Sequence, residues 1–83
     1  MNMDRGIFNL EASVEATSLY ILLCALADQG EPLTLDRAAV QWNGTKEDLL
    51  KAANELIRRR VLTGNQPLTQ DKLLQLNPAD QWR

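Results

Sequence analysis

TLDRAAVQWNGTKEDLLKAANELIRRRVLTG, residues 34–64, holds two helix starts, a tight turn and a change of period. Thr34 suits an N-cap, and a short helix is expected from Leu35 to Trp42 with Leu35, Ala38 and Ala39 as its inner stripe. Asn43-Gly44 supplies a turn. Thr45 then caps a third helix, and Asp48 three residues on makes a short capping box. Leu49, Leu50, Ala53, Leu56 and Ile57 recur at helical spacing and form the apolar stripe of that helix. Glu47-Asp48 in its first turn and Arg58, Arg59 and Arg60 in its last both suit the helix dipole. Beyond Arg60 the period shortens, and Val61-Leu62-Thr63 is β-compatible.

Upstream, the pattern predicts a first helix from about Leu10 to Gln29. Leu19, Leu22, Leu23 and Leu26 share one face, while Tyr20, Ile21, Cys24 and Ala27 add apolar surface on the others. Gly30 closes it in the left-handed conformation, and Glu31-Pro32-Leu33-Thr34 is an extended connector. Downstream, GNQPLTQD is a polar loop and Lys72–Leu76 reads as a strand returning along 61–63, which makes a β-hairpin. Asn77-Pro78 looks like a cap with proline at the first helical position, opening a last turn that carries Trp82 back to the body.

Eighty-three residues suit one small domain with a single core. The net charge is −2, but the charge is unevenly placed. Residues 1–36 hold one base and six acids, whereas residues 37–83 hold eight bases and five acids. A basic half beside an acidic half points to a polyanion on one side. With one cysteine and no histidine, neither a disulfide nor a thiolate–imidazole metal site is expected, and no cofactor is implied. Cys24 lies in an apolar run and reads as a small core residue. The apolar run at 19–27 is well short of the roughly 20 residues that span a bilayer, so no membrane association and a cytoplasmic location are expected.

Helix, extended piece, short helix, tight turn, long helix and hairpin, in that order, resemble the winged helix-turn-helix superfamily over about residues 12–77. Thr34-Leu35 opens the second helix of that pattern, Ala39 is its small crossing residue, Thr45 starts the recognition helix, and Val61-Leu62-Thr63 begins the wing. Arg60 stands where the superfamily usually has a glycine. The resemblance implies an α+β, mostly helical winged helix: an N-terminal arm (1–11), a three-helix core (12–60), a wing (61–77) and a C-terminal turn (78–83). It also implies that the third helix enters the DNA major groove while the wing lies over the backbone.

On that basis Thr45, Lys46, Lys51, Asn54, Arg58, Arg59 and Lys72 are the candidate DNA-binding residues, with Asn65, Gln66 and Gln70 on the wing. Arg58 and Asn54 suit guanine and adenine edges. Thr45 and Lys46 suit phosphate at the helix start, although capping alone explains Thr45. Glu47, Lys51, Glu55 and Arg59 form an i, i+4 ladder of alternating sign that would partly neutralise Lys51 and Arg59. Ile7, Phe8, Leu10, Tyr20, Trp42 and Leu50 are candidates for partner or dimer contacts. The carboxylate pairs Glu11/Glu15 and Glu47/Asp48 lack a histidine or pocket signal, so no enzyme is expected. The expected function is that of a small DNA-binding regulator of transcription, acting as a homodimer on double-stranded DNA. The alternative is a winged-helix protein-interaction adaptor without DNA binding.

Overall fold

A computed structural model describes residues 5–64 and 73–83. Within them the chain is α+β. The α-helices are α1 (Val14–Asp28), α2 (Leu35–Gln41) and α3 (Lys46–Arg58), and a two-stranded antiparallel sheet pairs β1 (Leu62–Thr63) with β2 (Gln75–Leu76). Short 3-10 helices lie at Arg5–Leu10 and Ala79–Gln81.

α1 begins later than the apolar pattern suggested. Glu11 takes a left-handed φ of 60°, which interrupts any helix running on from Leu10. Ser13 then caps α1, its Oγ accepting from the Ala16 amide at 3.1 Å. The helix packs on both α2 and α3. Its buried residues, Ala16, Leu19, Tyr20, Leu23, Cys24 and Leu26, occupy more than one face, as a helix apolar nearly all round requires. Desolvation raises the pKa of the Cys24 thiol, consistent with its place in the core.

α2 stops at Gln41 because Trp42 is extended. Thr34 caps it as expected, accepting from the Arg37 amide at 3.2 Å. Leu35 and Ala38 are buried but Ala39 is exposed, so Ala38 is the small residue at the crossing. With two turns and two inward positions at i and i+3, the next residue rotates out to solvent.

α3 carries a second shift of the same kind. Its buried residues are Leu49, Ala52, Ala53 and Leu56, while Leu50 and Ile57 are half-buried. The stripe is therefore turned toward Ala52, whose small side chain lets α3 approach α1 closely. Large apolar residues drew the expected stripe to the other edge.

α1 and α3 end alike. After α1 the Gly30 amide donates to the Ala27 carbonyl at 3.0 Å and the Glu31 amide to Leu26 at 2.9 Å. After α3 the Arg60 amide donates to Ile57 at 3.0 Å and the Val61 amide to Leu56 at 2.9 Å. This is the Schellman pattern, which needs a left-handed residue: Gly30 has φ 73° and Arg60 has φ 61°.

In the sheet, Leu62 faces Leu76 and Thr63 faces Gln75. Both strands are shorter than the apolar runs that announced them. The Leu74 amide also donates to the Leu33 carbonyl at 2.7 Å, tying the second strand to the α1–α2 connector. Asn77 closes the base of the hairpin and does not act as a helix cap. Its Nδ2 donates to the Arg60 carbonyl, its Oδ1 accepts from the Thr63 hydroxyl, and its amide donates to Val61. The position before the last 3-10 turn belongs to Pro78. Trp82 returns to the body as expected, edge-on to Tyr20 with ring centroids 5.4 Å apart, and its Nε1 donates to the Asn77 carbonyl at 3.0 Å.

Candidate functional site

Two surfaces carry chemistry: the outer side of α3, and a groove where α1 meets the α2–α3 turn. The start of α3 is set by Thr45, whose Oγ1 accepts from the Asp48 amide at 3.1 Å, so its hydroxyl is used in capping. The Thr45 carbonyl accepts from the Trp42 indole Nε1 at 3.2 Å, which fixes the ring against the turn. Gly44 is needed for this: a Cβ there would lie 2.9 Å from the Trp42 Nε1.

Along the outer face of α3, Lys46, Glu47, Lys51, Asn54 and Arg58 are exposed. The expected ladder of alternating charge does not form, because two of its members are engaged elsewhere. The Glu55 carboxylate accepts from the Ser13 amide at 2.7 Å, at the start of α1. That backbone hydrogen bond, helped by the Arg58 and Arg59 cations, holds the Glu55 carboxyl below its ordinary pKa. The Arg59 Nη1 donates to the Leu10 carbonyl at 3.3 Å and to the Arg83 carbonyl at 3.5 Å. Arg59 is thus a clasp for the two ends of the described chain, not an outward cation. Among the described residues, no ion pair or side-chain hydrogen bond holds Lys51, Asn54 or Arg58, and a shallow surface depression includes all three together with Glu55 and Ile57.

The wing candidates Asn65, Gln66, Gln70 and Lys72 lie outside the described residues. Of the candidate contact residues, Ile7 and Tyr20 are buried within the chain itself. Leu10, Trp42 and Leu50 are half-buried against the core, and Phe8 alone of the six is openly exposed, at 57%.

The groove of about 380 Å³ is lined by Val14, Glu15, Ser18 and Leu22 of α1, by Trp42 and by Asp48 of α3. Leu50 is not part of it; Trp42 is joined instead by α1. Val14, 78% exposed at its mouth, was not singled out in the sequence because a helix apolar on all sides hides which side faces out. The spacing of Val14, Ser18 and Leu22 is the signal that marks one face.

Comparison with known proteins adds no relative: no family model, curated protein or solved structure matches this chain. No helix among the described residues is long and apolar enough to cross a membrane.

Proposed function

We propose that the protein is a winged-helix DNA-binding protein, a regulator that acts by binding alone, with α3 as the helix that enters the major groove. The observation that carries this reading is that Glu55 and Arg59 bond to the Ser13 amide and the Leu10 carbonyl, which leaves Lys51, Asn54 and Arg58 without an ion pair or side-chain hydrogen bond among the described residues. The outer face of α3 presents Lys51, Asn54 and Arg58 with Lys46 at the helix start, against the carboxylates of Glu47 and the half-buried Glu55. Arg58 and Asn54 offer the bidentate chemistry that discriminates guanine and adenine, and Lys46 and Lys51 supply phosphate contacts. The helix order and the Leu74–Leu33 hydrogen bond beside the hairpin also support a winged-helix arrangement. So few cations give weak binding per chain, which favours a homodimer reading two half-sites.

The test is titration of fluorescent duplex DNA at several salt concentrations with wild type, Arg58→Ala and Arg59→Ala. Binding should weaken as salt rises, and Arg58→Ala should lower affinity by about 1–3 kcal/mol on a preferred sequence. Arg59→Ala should act through stability alone. Absence of binding at low salt, or binding indifferent to salt, would overturn the reading and leave the adaptor alternative.

A further inference from the structure

We propose that the groove between α1 and the α2–α3 turn docks a segment of a partner protein that presents an arginine or lysine flanked by aliphatic side chains. The proposal concerns a different surface from the outer face of α3 and does not depend on DNA binding there. Three properties of the groove converge on such an occupant.

The first is charge. Glu15 and Asp48 are the ionisable residues lining the groove, both are carboxylates, and among the described residues neither is held in an ion pair. The bias extends beyond the rim, since the sequence from Gly6 to Asp36 contains no lysine or arginine. A cation entering here meets two carboxylates and no base in the groove itself; Lys51 shares an adjoining depression with both, where Glu55 adds a third carboxylate.

The second is the aromatic ring. The Trp42 indole spends its only donor on the Thr45 carbonyl, which leaves the ring as an apolar, electron-rich surface for the groove. A guanidinium or ammonium beside an indole face gains cation–π attraction as well as the carboxylate charge. Gly44 keeps the ring in place, because any larger side chain would collide with the Nε1 edge.

The third is apolar surface. Val14 and Leu22 give the cation's neighbours somewhere to pack, and Val14 is 78% exposed when nothing covers it. A volume of about 380 Å³ accommodates a few side chains rather than a folded surface. A symmetric contact with a second copy is disfavoured by the same charges, because a twofold axis through the groove would bring Glu15 and Asp48 of both copies together.

The experiment uses short dye-labelled peptides in which leucines flank one central residue, read by fluorescence polarisation against the full chain. The central residue is arginine, lysine, citrulline or glutamate. Arginine and lysine peptides should bind saturably, and the citrulline and glutamate peptides at least about tenfold more weakly. Glu15→Lys should weaken the arginine peptide by about tenfold or more, and so should Gly44→Ala, which displaces the indole without touching charge. Circular dichroism melts of both variants confirm that each is folded at the assay temperature. The proposal is overturned if no peptide binds saturably, if citrulline binds as well as arginine, or if folded Glu15→Lys and Gly44→Ala bind like wild type. It is also overturned if sedimentation shows a dimer that Glu15→Lys dissociates, which would give the groove to a second copy.

Discussion

α1 and α3 pack against each other, yet they turn opposite chemistry outward. α1 carries Glu15 and Asp28 and no base, and it exposes Val14 and Ile21. α3 exposes Lys46, Lys51 and Arg58 beside Glu47 and Asn54. The contrast extends to their ends, where one hydrogen-bond pattern is closed by Gly30 in α1 and by Arg60 in α3. α1 is the helix around which the core is built and ends with the residue best suited to its backbone. α3 gives one side to the core, keeps the other for charge, and ends on a residue whose backbone is strained by about 1–2 kcal/mol.

This contrast can be broken most severely in the core. Leu23 is fully buried in α1, so Leu23→Ala should destabilise the fold by about 2–5 kcal/mol in urea denaturation. Leu50→Ala removes a half-buried side chain from α3 and should cost about 1–2 kcal/mol. Equal losses would mean that α1 is not the central helix.

The next effect lies where the two helices are tied. Glu55 on α3 accepts from the Ser13 amide at the start of α1, and Glu55→Gln should cost about 1 kcal/mol at neutral pH. The contact also sets a pH dependence. The folded carboxyl has a lowered pKa, so in acid the unfolded chain binds the proton more readily than the folded one. The contribution is therefore complete above the unfolded value of about 4.3 and is lost as pH falls through the folded value. Denaturant midpoints measured from pH 6 downward should fall less steeply for Glu55→Gln than for wild type.

The helix ends give the smallest effects and sharpen the comparison by their opposite signs. A Cβ at Gly30 would meet nothing within 4 Å, so the cost of Gly30→Ala is conformational alone, about 1 kcal/mol. Arg60→Gly should stabilise by about 0.5 kcal/mol, the relief of backbone strain exceeding the entropy that glycine adds to the unfolded chain. Thermal melts of the two variants should move in opposite directions. A destabilised Arg60→Gly would show that the arginine side chain contributes more than its backbone costs.

Much of the frame was legible because its signals are local. Thr34 and Thr45 each cap the amide three residues on, and Gly30 ends α1, all within one turn of chain. The start of α1 was misplaced because the apolar period continues back through Leu10, whereas Glu11 and Ser13 break it through backbone conformation and a side-chain cap. The sequence pattern places Ala39 inward and leaves Ala52 out of the α3 stripe because alanine fits either side of a helix, and only the neighbouring helix decides. The least legible feature is the one that shapes the candidate site. Glu55 to Ser13 and Arg59 to Leu10 join residues 42 and 49 positions apart, so both looked like members of a helical ladder. With those two contacts made, the arginine triplet divides into Arg58 facing solvent, Arg59 clasping the chain ends and Arg60 closing the helix.

The central claim is that α3, not α1, presents the face that meets a nucleic acid. It is tested most directly by adding a short duplex DNA to isotopically labelled protein and following the assigned amide resonances. The account predicts that resonances of Lys46, Lys51, Asn54 and Arg58 shift while those of Val14, Ile21 and Ala25 on the outer side of α1 stay in place. Shifts centred on α1, or no shifts at low salt, would contradict it.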